Sequence, residues 1–167
     1  MTTTHKVWKL GADIDTDQLA PGAYMKLGIE GIAPHCLEGV RPEFAAQVRP
    51  GDVIAAGPNF GIGSSREQAA GALVKLGLKA VIAPSFSGLY FRNAFNLGLL
   101  LLTCRDAELL QDGEHISLDL QALPEIRVRR ADGSTLACDP IPGFLLDMVE
   151  AGGLLNQLRH KLRATPA

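Results

Sequence analysis

Between residues 57 and 68 the chain reads Gly57-Pro58-Asn59-Phe60-Gly61-Ile62-Gly63-Ser64-Ser65-Arg66-Glu67-Gln68, and the types and spacing of these residues point to chemistry. Glycine accepts positive φ and lets a bound group approach the backbone with no Cβ in the way, which is the expected use of Gly57, Gly61 and Gly63. Ser64 and Ser65 bring two hydroxyls. Each has an acid or amide three residues on (Glu67, Gln68), the spacing of a capping box at a helix start. Such a start would turn free N–H groups and the positive end of the helix dipole toward whatever sits over the turn. Arg66 adds a fixed cation whose planar donor fork matches a carboxylate. The turn is thus predicted to hold an anion, with Gly61 and Gly63 as a backbone cradle. The plainer alternative makes Ser64 and Ser65 helix caps and Arg66 a surface residue, and the local pattern leaves both open.

Spacing disfavours the other chemistries of a serine or glycine turn. A nucleophile elbow needs G-x-S-x-G, and Gly63-Ser64-Ser65 lacks the second glycine. His5, His35, His115 and His160 are each isolated, and none promises a base beside Ser64. No G-K-[ST] follows the glycines, so the turn is not a P-loop. Asp13, Asp15 and Asp17 alternate as in a calcium loop, but the glycine at the sixth place and the glutamate at the twelfth are missing. Taken alone, that stretch reads as an acidic turn.

The elements that must position the glycine turn lie on either side of it. Asp52 to Ala56, after a Pro50-Gly51 turn, reads as a buried strand, and Ala69 to Leu76 as a helix that Gly77 ends. Leu78 to Ala83 is a second apolar strand, Gly88 to Asn96 a helix closed by Gly98, and Leu99 to Thr103 a third strand. Residues 52–103 are therefore expected to form a parallel β–α–β–α–β core with cover on both faces. After Cys104 the pattern alternates: 116–120 and 126–129 read as strands with one wet face, and Asp132-Gly133 as a hairpin turn into 134–138. Residues 6–10 read as a first strand, 144–151 as a helix broken at Gly152-Gly153, and 154–163 as its possible extension before a frayed end. Residues 23–49 read as polar and irregular, helical only from Pro42 to Val48, in the manner of a functional loop or lid. The expected fold is one compact α/β domain over 1–167 with an added antiparallel layer.

With 167 residues, 47% of them hydrophobic, the chain can bury a substantial core. A net charge of −2 implies no general attraction to nucleic acid. No run is apolar enough for a signal core or a membrane span. Cys36, Cys104 and Cys138 are odd in number and scattered, which fits buried thiols in a reducing, cytoplasmic setting better than a metal site.

Long-range pattern decides between the two readings of the turn. Asp13-Ile14-Asp15-Thr16-Asp17-Gln18-Leu19-Ala20-Pro21, Pro50 to Gly57 and Asn59 to Ala69 together resemble the small subunits of 3-isopropylmalate dehydratase. Lys79 to Phe86, Arg92-Asn93-Ala94 and Gly152-Gly153-Leu154 continue the likeness over nearly the whole chain. The resemblance implies the swivelling β/β/α domain of the aconitase superfamily, a mixed sheet as in the aconitase C-terminal domain. It also implies a hydro-lyase of leucine biosynthesis, active only beside a large subunit, as a heterodimer or heterotetramer, with no nucleic-acid or membrane partner. In that family a [4Fe–4S] cluster is held by three cysteines of the large subunit, so no cofactor is expected on this chain.

By the same resemblance Ser64 is the catalytic base, and Ser65 and Arg66 bind a substrate carboxylate. Asp17, preceded by Thr16, belongs to the site wall and pairs with a histidine of the large portion, while Asp13 and Asp15 brace the turn. The loop Tyr24-Met25-Lys26-Leu27 faces the variable end of the substrate, where the cation of Lys26 suits a polar or small tail. The alternatives carried forward are a homoaconitase-type or other related dicarboxylate dehydratase small subunit, and a non-catalytic anion-binding or assembly module.

Overall fold

The structure, a computed structural model, describes residues 2–121 and 125–164. In chain order it runs β1 (His5–Lys9), α1 (Thr16–Leu19), a 3-10 segment (Gly22–Leu27), α2 (Gly28–Ile32), a 3-10 turn (Ala33–His35), α3 (Phe44–Gln47) and β2 (Val53–Ala55). Next come α4 (Gln68–Lys75), β3 (Ala80–Ala83), α5 (Gly88–Asn96), β4 (Leu100–Thr103) and a 3-10 turn (Ala107–Leu109). The chain closes with β5 (His115–Asp119), β6 (Arg127–Arg130), β7 (Thr135–Ala137), α6 (Gly143–Glu150) and α7 (Leu154–Ala164).

Among the described residues the strands form one sheet in the order β4-β3-β2-β1-β5-β6-β7. The apolar runs of β2, β3 and β4 pair in parallel, buried on both faces under the flanking elements. β1 is the hinge of the architecture, pairing in parallel with β2 and antiparallel with β5. Beyond it the predicted alternation appears: Val128 and Leu136 are buried while Arg127, Arg129, Thr135 and Ala137 are exposed. Gly133 takes φ +88° in the tight turn between β6 and β7. The sheet also curls on itself. β4 and β7 are its opposite edges, yet the Asp139 N–H donates to the Thr103 carbonyl at 2.8 Å.

Both glycine stops are built as the pattern predicts. After α4, Gly77 donates to Val74 O and Leu78 to Leu73 O; after α5, Gly98 donates to Phe95 O and Leu99 to Ala94 O. α7 follows α6 as a separate helix across Gly152 and Gly153, and the predicted fraying of the last residues lies outside the described ones.

Residues 23–49 correct the sequence reading. They contain α2 and two 3-10 pieces besides α3, and Ile32, Cys36, Leu37 and Phe44 are fully buried. Phe44 meets the edge of Trp8 with ring centroids 5.2 Å apart. Pieces of three to six residues are too short to display a 3.6-residue period, and the prolines and glycines between them mask the rest.

Candidate functional site

The loops that leave the carboxyl ends of the parallel strands β1, β2 and β3 lie side by side. The backbone of 57–62 is clamped between them. Gly57 N–H donates to Gly11 O (3.0 Å), Asp13 N–H to Pro58 O (2.9 Å), Gly61 N–H to Ile14 O (2.7 Å) and Thr16 N–H to Ile62 O (2.8 Å). On the other flank Phe60 N–H donates to Ser85 O (3.1 Å) and Ser87 N–H to Phe60 O (2.9 Å). Bridges between Asp15 and Ile62, and between Phe60 and Phe86, continue the parallel pairing into the loops. Ligands of open α/β sheets bind in the crevice outside such strand ends.

The two aspartates assigned to bracing do brace. Asp13 Oδ1 accepts from Asn59 Nδ2 at 2.9 Å, and both residues take left-handed φ near 60°. Asp15 caps α1: its Oδ1 accepts from Gln18 N–H at 2.8 Å, and Gln18 Oε1 accepts from Asp15 N–H at 2.9 Å. The capping box of this region is therefore at 15–18, and not at Ser64 or Ser65 as the spacing there predicts. α4 begins only at Gln68, Glu67 at its cap position has helical φ and ψ, and no side chain caps it. The local reading of the serines as helix caps is overturned. Ser64 and Ser65 are exposed, and neither hydroxyl has a partner among the described residues.

Two glycine roles also change. Gly57 does not take positive φ; it is required because a Cβ there would lie 2.8 Å from the Ala12 backbone. Gly61 has φ +84°, but its N–H is already donated to Ile14 O, so it is not half of an anion cradle. It makes room for Tyr90, whose Cγ would sit 2.2 Å from an added Cβ. Gly63, at φ +105°, is exposed, and the N–H groups of Gly63, Ser64 and Ser65 donate to nothing among the described residues.

Arg66 joins this turn to α1. Its Nη1 donates to Asp17 Oδ1 at 3.2 Å and to the Ala20 carbonyl, at the end of α1, at 2.9 Å. The guanidinium is half-buried, and Nε and Nη2 have no partner among the described residues. Asp17 Oδ1 also accepts from Gly22 N–H at 2.9 Å, at the head of the Gly22–Leu27 segment. Thr16 is 3% exposed, and its hydroxyl would lie 3.0 Å from a Cβ at Gly63. The resemblance counts Thr16 among the substrate-binding residues; its burial fits support of the turn from below. Lys26 is exposed on the same segment that Asp17 anchors and makes no ion pair among the described residues. Sequence reasoning missed the Ala20 carbonyl, the Gly22 N–H and a ring stack of Tyr24 on His35; only the i,i+3 spacing of His35 and Glu38 hinted at the last.

Among the described residues no group of three or more His, Cys, Asp or Glu is placed to hold a metal. The cysteines do not fit an iron–sulfur cluster, which needs deprotonated thiols converging on one point. Cys36 is fully buried and its thiol is pushed up to about 12 by that burial. Cys104 and Cys138 are buried as an interacting pair, which raises the Cys138 thiol far above its ordinary range and lowers that of Cys104, and no third ligand joins the two among the described residues. No helix among the described residues is long and apolar enough to cross a membrane.

The geometry is therefore an open shelf of two exposed hydroxyls, unspent N–H groups and an oriented guanidinium, suited to an anionic ligand. Residues 43–107 match the model of the aconitase C-terminal domain. The chain is 45% identical to the methanogen homoaconitase small subunit of Methanothermobacter thermautotrophicus, over 90% of this chain and 87% of that one. It is 41% identical to 3-isopropylmalate dehydratase small subunit 1 of Archaeoglobus fulgidus, over 90% and 93%. A crystal structure of 3-isopropylmalate dehydratase from Methanocaldococcus jannaschii superposes with a TM-score of 0.86 at 38% identity, covering 96% of this chain and 95% of that one. The chain belongs to the family of hydro-lyase small subunits that includes those of 3-isopropylmalate dehydratase and homoaconitase, built on the aconitase C-terminal fold.

Proposed function

We propose that this chain is the small subunit of a two-subunit hydro-lyase that isomerises a hydroxy diacid by dehydration and rehydration, with 3-isopropylmalate and 2-isopropylmalate as its pair in leucine biosynthesis. One observation carries the reading: Ser64 and Ser65 stand exposed next to Arg66, whose Nη1 is held by Asp17 and the Ala20 carbonyl while Nε and Nη2 have no partner among the described residues. Ser64 takes the proton from the carbon next to a substrate carboxylate. A serine hydroxyl is a poor base, so its alkoxide requires nearby N–H donors and positive charge, which Gly63, Ser65 and Arg66 supply. Ser65 and Arg66 bind that carboxylate, and Asp17 and Thr16 hold the two halves of the shelf in register.

Relatives named as small subunits support a large subunit that completes the cleft over the shelf, and closure excludes water. The [4Fe–4S] cluster belongs to that subunit, since the cysteines here do not fit it. Three buried, unpaired thiols accord with work in the reducing cytoplasm.

The test is Ser64→Ala in the assembled enzyme. Loss of the proton acceptor should lower kcat by about 10²–10⁴-fold with KM little changed. Full turnover by that variant would remove Ser64 from the mechanism. A second reading, a homoaconitase-type substrate ending in a further carboxylate, is favoured by the exposed cation of Lys26. Lys26→Val should then weaken use of homoisocitrate by about tenfold or more while sparing 3-isopropylmalate. Equal effects on both substrates would reject it.

A further inference from the structure

The Gly22–Leu27 segment is held by contacts that proton and carboxylate chemistry at Ser64 and Arg66 does not use. Tyr24 N–H donates to Pro21 O at 3.0 Å, and its ring lies flat against the imidazole of His35, centroids 3.6 Å apart and planes 8° from parallel. The imidazole is fixed in turn, with Nδ1 2.7 Å from Glu38 Oε2. Glu38 reaches Tyr24 as well: its charge, with slight burial and a hydrogen bond, holds the phenol above its ordinary pKa. The backbone beneath is anchored in the core, because Ala33, Cys36 and Leu37 around His35 are buried. Lys26 and Leu27, next along, are exposed, so their place follows from where Tyr24 is clamped.

We propose that His35, oriented by Glu38, is a positioning residue for the Gly22–Leu27 segment and, through Tyr24, sets which substrate tail Lys26 meets. This rests on the proposed function above, with the substrate tail directed at that segment. A surface histidine–glutamate pair adds little to stability, so a clamp of this kind acts on geometry and leaves folding largely alone. Productive substrate binding tolerates little displacement, and a misplaced loop far from the reacting atoms is felt in recognition.

The experiment compares the assembled two-subunit enzyme carrying wild-type chain, His35→Ala or His35→Phe, with 3-isopropylmalate and homoisocitrate as substrates. His35→Ala is expected to raise KM for the preferred substrate about tenfold, hold kcat within about twofold, and bring the two kcat/KM values closer together. His35→Phe keeps a flat ring for the stack and should restore most of the discrimination. An unchanged ratio in His35→Ala, or an equal fall in kcat for both substrates, overturns the proposal. If wild-type enzyme turns over neither substrate, the proposed function fails instead. The clamp itself is then read by NMR: ring-current displacement of the His35 proton resonances, lost in Tyr24→Leu, establishes the stack, and its absence in wild type refutes it.

Discussion

Asp17 Oδ1 accepts from Arg66 Nη1 at 3.2 Å and, through the same oxygen, from Gly22 N–H at 2.9 Å. One carboxylate oxygen thus ties the guanidinium of the glycine turn to the head of the segment that carries Tyr24 and Lys26. With the Asp17 side chain 70% exposed, the ion pair contributes little to stability. Its effect is on direction, because it occupies Nη1, while Nε and Nη2 have no partner among the described residues. The resemblance assigns Asp17 a histidine of the large subunit, and Oδ2 has no partner among the described residues with which to compete for it.

Asp17→Asn retains an oxygen for Gly22 but removes the charge that holds Arg66. Steady-state kinetics of the assembled enzyme should show KM raised about tenfold with a smaller change in kcat. The melting temperature should move by no more than about 2 °C, in keeping with an exposed pair. A large drop in melting temperature with unchanged KM would assign Asp17 a folding role instead.

Asp15→Ala removes the side-chain cap on the Gln18 N–H, leaving only the Gln18 Oε1 to backbone half of the box, and should cost about 1 kcal/mol in urea unfolding. Because α1 carries Asp17 and ends at the Ala20 carbonyl, the same variant should also raise KM. By contrast Ser64→Ala, which uncaps nothing, should leave stability within about 0.5 kcal/mol of wild type. Equal destabilisation by the two variants would restore the serines as caps.

Gly61→Ala combines φ +84° with a Cβ 2.2 Å from Tyr90 Cγ, against a ring that is 2% exposed and has no room to move. Strain and overpacking together should cost about 3 kcal/mol or more. At Gly63 the nearest atom to an added Cβ is the Thr16 hydroxyl at 3.0 Å, so Gly63→Ala should cost less, about 1–2 kcal/mol. Its larger effect should be on kcat, through the placement of Ser64. Chemical denaturation of both variants ranks them.

Asp112 is held below the usual carboxylate range by the hydrogen bond from Arg41 Nη1 at 2.5 Å, which outweighs its partial burial. The unfolded chain therefore takes up this proton at a higher pH than the folded one. The stabilisation is complete above the unfolded carboxylate pKa of about 4 and is lost as pH falls through the lower folded value. Asp112 is 53% exposed, so after solvent screening the pair contributes no more than about 1 kcal/mol. Calorimetry should find Asp112→Asn melting below wild type at pH 7, with the gap closing toward about pH 3. A gap that widens on acidification would contradict the assignment.

The β–α–β–α–β core was legible because its signals are local. Apolar runs for β2, β3 and β4 and glycine stops at Gly77 and Gly98 act within one turn or one strand, and their hydrogen bonds close as the pattern predicts. The exposed groups of the glycine turn were legible for the same reason, since residue types alone bring hydroxyls and a guanidinium together at 63–66. Spacing misjudged the backbone beneath them. Ser64-x-x-Glu67 has the form of a cap, but the bridge from Ile62 to Asp15 draws the chain along the sheet and delays the helix to Gln68.

Short pieces such as α2 and the 3-10 turn at 33–35 leave no periodic trace, and packing on Trp8 and on α4 orders that stretch into buried structure. The amino-acid sequence by itself determined which groups this protein offers to a ligand: two serines, an arginine and the glycines that present them. Only the tertiary structure decided where they point. Asp17 reaches Arg66 across 49 residues and Asn59 reaches Asp13 across 46, and contacts between residues so far apart arise only when the sheet brings its loops to a common edge.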